Sequence, residues 1–512
     1  MNQIDLATIV RPAEFPRCCG SDRQSPKDDM NPLRTLDDTA ALLVPEQLLL
    51  PTGPQRDHAV LIENGLIAAA GPTAELAATA AGRAARRIEL PGRLLMPGFV
   101  DAHHHLSQSF GKSLVFGEPS EIFSRVWVPM EGQMDAEALD VATRLAAWES
   151  LRGGFTTVVD AGTRAAADVG AIAEATVEVG LRCVLGLIGN DLGGGVRTAS
   201  VPEVTAAAAH HLSRWESTEL VHPSLAVSIP EVASDEALIA LAGLAGEAGA
   251  VLQTHLNEHL AAVERSLVAG GERPLERLAR LGVLGPQLLA AHATLLTPRE
   301  IRLLADTGAA ISYNPVASSW KGNAVAPALL LHELGARLGL GTDGTRSDAF
   351  RLLDAAETAQ RLTAGLAAGD SSTGGGWTWL ELGLRGGADA VGLAGRVGEI
   401  APGAYADLLV VDLEVPEFAP SWDLPWELVR LGNRDQIEAV IVGGRLRLER
   451  GWPVDWDGRA LLGRVREIAQ RVVETSPITR VDPLSADHRA AWMSEHAAGA
   501  ARADVHPVEV AQ

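Results

Sequence analysis

The amino-acid sequence predicts an α/β protein: a (β/α)8 TIM-like barrel with a small composite β-sandwich built from N- and C-terminal segments. Helix-like stretches alternate with short apolar runs through the middle of the chain, as in a parallel sheet. Histidines and aspartates end several of these runs, and the active sites of such barrels lie at the carboxyl ends of the strands. Two β-prone segments with Gly, Pro and Asn turns flank this region and predict the second domain.

The boundaries follow from changes in composition along the chain. Residues 1–36 are rich in Pro and polar residues and predict an N-terminal extension. The sandwich is expected over 37–96 and again over 396–455, with the barrel at 97–395 between them. Residues 456–512 predict a C-terminal helix and tail.

Repeated units of helix and strand carry the prediction of a barrel. In chain order they are DAEALDVATRLAAWESLRGG with FTTVVDAG, GAIAEATVEVG with LRCVLGLIG, SDEALIALAGLAGEAG with AVLQTHL, PLERLARLG with LLAAHATL, TPREIRLLADTG with AAISYNP, and APALLLHELG with ARLGLGTDG. Units of this length favour a parallel sheet, and this many of them favour a closed barrel over an open sheet.

Composition limits the possible partners and the compartment. The 512 residues are 47% hydrophobic with a formal net charge of −22, which argues against nucleic acid or an anionic membrane as partner. No apolar run approaches the roughly 20 residues that span a bilayer. The N-terminus lacks the features of a signal peptide. With only three cysteines as well, we expect a cytoplasmic protein.

The strongest chemical signal is the segment PGFVDAHHH, at residues 97–105. In a strand, residues two apart point to the same face, so His103 and His105 would project together and His104 away from them. Two imidazoles side by side at the end of a strand can bind one divalent metal.

Three later residues complete a candidate metal site. His255, His292 and Asp343 each end an apolar run, and Glu258 follows His255 by three residues. Histidines with one carboxylate suit Zn(II), Fe(II) or Mn(II), and such a metal lowers the pKa of bound water.

Each of these side chains can be given a chemical role. Asp343 would accept a proton from the water, and Glu258 would pass a proton to the substrate or leaving group. His292 would hydrogen-bond the attacking oxygen or a developing oxyanion. Asp160 is either a carboxylate that supports the site or an ordinary loop residue. The remaining histidines are expected to be structural or exposed.

In this order the motifs PGFVDAHHH, THLNE, AAHATLLT and GLGTDG resemble the amidohydrolase superfamily, in its cytosine deaminase, guanine (8-oxoguanine) deaminase and chlorohydrolase-like branch. The resemblance covers about residues 40–455. It implies one divalent metal and not a binuclear centre, because no GxKxF-like strand offers a bridging lysine. The metal is expected to be zinc, with iron, manganese or cobalt as alternatives. The resemblance implies catalytic roles for Glu258 and His292. The metal ligands it implies are His103, His105, His255 and Asp343.

The resemblance also bears on substrate binding. Gln108 looks like the glutamine that binds a ring carbonyl or amide in purine and pyrimidine deaminases; otherwise it caps a helix. Tyr313 and the segment 318–322 depart from the common pattern at expected pocket positions. Candidates to stack on a flat ring are Trp127, Trp320, Trp377 and Trp379.

The predicted function is therefore a metal-dependent hydrolase of C–N bonds other than peptide bonds. The first expectation is an aminohydrolase that attacks an amino-bearing carbon of an N-heterocycle with a metal-bound hydroxide and releases ammonia. The alternative is a hydrolase of a triazine, amide, urea or (thio)carbamate, including xenobiotic substrates. A barrel kept only for assembly is disfavoured, because the ligand set is intact. The resemblance implies a small-molecule substrate and a homo-oligomer, dimer or larger.

Overall fold

The computed structural model describes residues 32–36, 40–119, 122–193, 196–215, 218–365, 367, 369, 374–482 and 484–503. Of the extension expected over residues 1–36, residues 1–31 lie outside the described residues. Within the described ranges, no helix is both long and apolar enough to cross a bilayer.

Eight parallel strands form one sheet whose spatial order follows the chain. They are Phe99–His104, Phe155–Asp160, Arg182–Ile188, Val221–Val227, Leu252–Leu256, Leu288–His292, Ala310–Tyr313 and Arg337–Leu340. The first and last strands approach each other at their carboxyl ends, where Asp343 N donates to His103 O over 2.9 Å. The predicted barrel is confirmed.

Helices surround the barrel and follow most of its strands. The α-helices are Thr73–Ala78, Ala80–Ala84, Val128–Glu131, Ala136–Arg152, Gly170–Val179, Val201–Arg214, Asp235–Glu247, Leu260–Gly270, Pro274–Arg280, Pro298–Thr307, Pro315–Lys321, Ala328–Glu333, Ala349–Gln360, Gly376–Gly383, Arg385–Ala390, Leu424–Arg430, Gly458–Thr475 and Ser485–Ala503. Short 3-10 turns occur at Pro32–Thr35, Leu106–Gln108, Lys112–Leu114, Pro230–Val232, Pro416–Phe418 and Arg434–Gln436, and π-helical turns at Phe123–Trp127 and Arg361–Gly365.

Local sequence explains where several helices begin. Thr297 accepts from the backbone of Glu300, whose carboxylate bonds back to Thr297 N, and Pro298 takes the first helical position. Ser200 and Glu203 make the same reciprocal pair at the start of Val201–Arg214.

A second sheet of nine strands combines both ends of the described chain. Its strands are Ala41–Leu50, Gly53–Gln55, His58–Glu63, Leu66–Pro72, Arg86–Pro97, Leu408–Asp412, Ile437–Val442, Arg445–Glu449 and Trp452–Pro453. The two contributions meet where Arg86–Pro97 pairs antiparallel with Leu408–Asp412, with Leu95 opposite Val410. A separate two-stranded hairpin joins Leu192–Gly193 to Val196–Arg197.

A buried ion pair joins the second sheet to the barrel. Arg182, in a barrel strand, donates from Nε to Asp407 Oδ2 over 2.8 Å, and both side chains are almost fully excluded from solvent. Asp407 also accepts from Gly443 N over 2.8 Å. Because a buried charge is costly without a partner, this pair holds the two sheets in one arrangement.

Candidate metal centre

The alternating histidines lie where the sequence predicts, at the carboxyl end of the first barrel strand. His103 and His105 are buried, and the centroids of their rings are 4.9 Å apart. His104 points elsewhere, with Nε2 3.1 Å from Ser347 Oγ. Burial, with the neighbouring His105 and His103, lowers the pKa of His104 to about 3. His104 is therefore a neutral structural histidine.

The later candidates converge on the same point. His105 Nε2 lies 3.1 Å from His255 Nε2. Asp343 Oδ1 lies 3.3 Å from Nε2 of both His103 and His105. Potential ligand atoms of His103, His255, His292 and Asp343 all lie within 4.8 Å of one another. Five side chains that the sequence singled out thus surround one small volume at the mouth of the barrel.

The buried nitrogens fit a metal. Both ring nitrogens of His103 lack a hydrogen-bond partner among the described residues. His255 Nδ1 donates to Ser228 O over 2.7 Å, which leaves the Nε2 lone pair facing the cluster. Burial and the adjacent His103 and His105 lower the pKa of His255 well below its usual value. A neutral imidazole whose other nitrogen is held by a carbonyl is the ordinary form of a metal-binding histidine.

The backbone is held in uncommon conformations at this site. Asp343, His292 and Asn257 have φ of 59°, 71° and 50°, in the left-handed region. Non-glycine residues adopt such angles at a cost of about 1–3 kcal/mol, and they cluster at functional sites. The turn after Arg337–Leu340 is also crowded, since a Cβ on Gly341 would lie 2.3 Å from Asn314 Oδ1.

Two buried aspartates support the first strand. Asp101 accepts from the backbone of His103 over 3.2 Å and of Thr342 over 2.9 Å, so it joins the first and last strands. Asp160, whose role the sequence left open, accepts from Leu106 N over 2.9 Å and Gly162 N over 3.0 Å. Burial raises the pKa of Asp101 and of Asp160 to about 7. Asp160 therefore fixes the loop that carries His105.

Glu258 and His292 lie side by side at the edge of the cluster. His292 Nε2 is 3.7 Å from Glu258 Oε2. The Ser312 hydroxyl donates to Asn314 Oδ1 over 2.7 Å, which turns Asn314 Nδ2 toward His292 Nδ1 at 3.2 Å. Burial lowers the pKa of His292 to about 4, so its ring is neutral.

Lys321 joins this cluster although the sequence did not predict it there. Its Nζ lies 2.6 Å from Glu258 Oε1 and 2.6 Å from Asp343 Oδ2. Burial alone would raise the pKa of both carboxyls, but the adjacent Lys321 ammonium lowers the pKa of each below its usual value. The one signal in the sequence was the unusual 318–322 segment, which ends the Pro315–Lys321 helix.

A cavity of about 250 Å³ opens directly onto these groups. Gln108 lines it and is only 5% exposed. Of the candidate tryptophans, Trp127 lines the cavity, whereas Trp379 is fully buried in the core. Tyr313 also points into the core, where its hydroxyl donates to Ala356 O over 3.3 Å. Other lining side chains include Phe123, Arg164, Arg265 and Lys321.

Comparison with known proteins places this architecture in a family. The model of the amidohydrolase family matches residues 94–447. The chain is 30% identical to a 5-methylthioadenosine/S-adenosylhomocysteine deaminase of Syntrophobacter fumaroxidans, over 82% of this chain and 94% of that protein. It is 28% identical to a 5'-deoxyadenosine deaminase of Methanothermobacter thermautotrophicus, over 81% and 94%.

A solved structure agrees with these relatives. A zinc-bound adenosine deaminase from Xanthomonas campestris superimposes with a TM-score of 0.77 at 27% identity, covering 86% of this chain and 99% of that one. The chain belongs to the amidohydrolase family, and the predicted class, a hydrolase acting on C–N bonds, is confirmed. The more specific placement in a cytosine and guanine deaminase branch stays a prediction.

Proposed function

We propose that the protein is a zinc-dependent aminohydrolase that removes the exocyclic amino group of an adenine-type ring in a nucleoside-like substrate. The carrying observation is the convergence of His103, His105, His255 and Asp343 beside Glu258, at the floor of a cavity. The adenine-type ring is favoured over a guanine-type ring because the relatives described above are named for adenosine-type substrates.

The ligand set proposed for the metal is three imidazoles and one carboxylate. His103, His105 and His255 would bind through nitrogen and Asp343 through Oδ1, a donor set that suits zinc, with iron, manganese or cobalt as alternatives. A metal held there acts as a Lewis acid and lowers the pKa of water toward neutrality.

The carboxylates move the protons. Water adds to the amino-bearing ring carbon, and Asp343 accepts one proton from it. Glu258 takes the other proton of the water and delivers it to the adjacent ring nitrogen, and the proton held by Asp343 then passes to the departing amine. The carbon–nitrogen bond breaks, and the products are ammonia and the ring carbonyl compound.

His292 serves this reaction as a hydrogen-bond donor. Asn314 Nδ2 points at His292 Nδ1, so Nδ1 accepts and the ring proton resides on Nε2. A protonated Nε2 has no lone pair for a metal, which supports assigning His292 to the attacking oxygen rather than to the ligand set. Its neutral state at ordinary pH allows it to donate without carrying charge.

The cavity would hold the ring. Trp127 and Phe123 offer flat apolar surfaces beside the reacting groups, and Gln108 offers an amide to the ring edge. We propose that these three side chains set the orientation of the ring over the metal. We also propose that the enzyme is cytoplasmic and assembles as a homo-oligomer. Light scattering on the purified protein would test the oligomeric state.

Ammonia release by the metal-analysed enzyme tests the function. The panel holds adenosine, 5'-deoxyadenosine, 5'-methylthioadenosine, S-adenosylhomocysteine, guanine, 8-oxoguanine, cytosine and a melamine-type triazine, with mass detection of amide, urea and carbamate cleavage. Highest turnover on an adenine-type nucleoside is the expected result. Ammonia only from guanine-like rings would restore the branch suggested by the motifs. Cleavage only of an acyclic urea, amide or carbamate would overturn the deaminase proposal.

A further inference from the structure

Lys321 occupies an unusual position for a lysine. Its side chain is only 10% exposed, and it forms ion pairs with Glu258 and Asp343, whose side chains are 13% and 5% exposed. The sequence contains three lysines among 43 basic residues, at positions 27, 112 and 321. A chain that uses arginine almost throughout thus places an ammonium at its candidate centre.

The charges in this volume explain why a cation is needed. Glu258 and Asp343 are two buried carboxylates bridged by one Nζ. Removing a carboxylate from water is strongly unfavourable unless a counter-charge and hydrogen bonds replace the solvent. Asn323 Nδ2 supplies one such bond to Glu258 Oε1 over 3.3 Å, and Lys321 supplies the charge.

The two oxygens of Asp343 face different partners. Oδ1 faces His103 and His105, where the proposed metal would bind, whereas Oδ2 accepts from Lys321. A divalent cation at Oδ1 and an ammonium at Oδ2 would share one carboxylate. Like charges held this close repel each other strongly at the low effective dielectric of a buried site.

We propose that Lys321 is a positioning residue that acts as an internal counter-ion: it holds Glu258 and Asp343 in place before metal binding and, by competing for Asp343, weakens the binding of the metal. This inference rests on the metal site of the proposed function. Glu258 stays bound to Lys321 through Oε1, which leaves Oε2 directed toward His292 and the cavity.

The test compares metal affinity and stability in the full chain. Zinc affinity is measured by competition with a chromophoric chelator, and thermal unfolding is measured for the metal-free protein. For Lys321→Met we expect zinc binding tighter by about tenfold or more and a lower unfolding midpoint without metal. Lys321→Arg keeps the charge and should retain the affinity of the unchanged protein within a few-fold.

A matched control separates this role from the loss of any buried ion pair. Lys112 forms its ion pair with Glu149, which is not among the proposed ligands, so Lys112→Met should leave zinc affinity unchanged. If Lys321→Met does not fold, Lys321→Gln is used, since its amide can still donate to one carboxylate.

The outcomes distinguish this inference from the proposed function. If the unchanged protein binds no metal, the proposed metal site itself is wrong. If it binds zinc and the folded neutral variant binds no more tightly, only the counter-ion role is wrong. A cobalt-loaded sample gives a second readout. The visible spectrum of the Lys321→Met variant should differ from that of the unchanged protein, because the geometry at Asp343 changes.

Discussion

His105 Nε2 and His255 Nε2 lie 3.1 Å apart, although 150 residues separate them in the sequence. Each comes from the carboxyl end of a different barrel strand, and His255 already uses its other nitrogen on Ser228 O. Two buried imidazole nitrogens can face each other at this distance only with a proton or a cation shared between them. The short separation is what a bound metal would require of its ligands.

Replacement of either histidine should therefore abolish metal binding. We expect His255→Asn to lose most of its zinc and at least about a thousandfold in turnover, because the change removes a proposed ligand and not merely its support. Elemental analysis and kcat on the best substrate measure both effects. His210→Asn, on the exposed surface of a helix, should change neither. Full metal content and activity in His255→Asn would show that the ligand set is wrong.

Glu258→Gln should separate chemistry from metal binding. The amide has nearly the same shape but cannot transfer a proton, so kcat should fall by about 10²–10⁴-fold while KM changes little. Metal content should stay at the level of the unchanged enzyme, since Glu258 is outside the proposed ligand set. A variant that deaminates at the original rate would remove Glu258 from the mechanism.

The sequence predicted the parts of the site that lie at strand ends. His103 and His105 follow from strand alternation after Pro97-Gly98, and the barrel follows from repeated helix and strand units. The Glu258 position followed from its spacing after His255, and the structure brings it to the cavity.

Residues that depend on packing between distant elements could not be predicted in this way. Lys321 ends a helix, where a lysine ordinarily extends into solvent, and only the fold turns it toward Glu258. Asn314 contacts His292 across neighbouring strands. Tyr313 was expected at the pocket because it departs from the family pattern at a pocket position, but its side chain faces the surrounding helices, where Gln360 donates to its hydroxyl.

Gln108 offers a test of substrate recognition. If its amide binds the ring, Gln108→Ala should raise KM by about tenfold with a smaller change in kcat, the cost of one lost hydrogen bond. Steady-state kinetics on the preferred substrate measure the change. Gln133→Ala, on the exposed surface, is the control. Unchanged kcat and KM in Gln108→Ala would return Gln108 to a purely structural role.

The stability of the protein should depend on pH through His222, at the amino end of the barrel strand Val221–Val227. Burial and the adjacent Arg182 lower the pKa of His222 from 6.5 to about 4. Between these two pH values the unfolded chain binds a proton at His222 that the folded chain does not. The stability contributed by the neutral ring is therefore complete above pH 6.5 and is lost as the pH falls toward 4.

His222→Gln removes that titration. Between about pH 7 and about pH 5, the free energy of unfolding of the variant should then fall by about 2 kcal/mol less than that of the unchanged protein. Denaturant unfolding at the two pH values measures the difference, with the exposed His210→Gln as control. Equal slopes in the variant and the unchanged protein would contradict a neutral His222 in the folded state.

The pairing of Arg86–Pro97 with Leu408–Asp412 has a consequence for synthesis on the ribosome. The first of these strands is complete before any of the barrel has been made, and its partner emerges only after the whole barrel. Until then the buried edge that carries Leu94, Leu95 and Met96 has no neighbour on that side. A nascent chain therefore carries an unpaired apolar edge through most of translation, the period in which it is most exposed to wrong pairing and most dependent on chaperones.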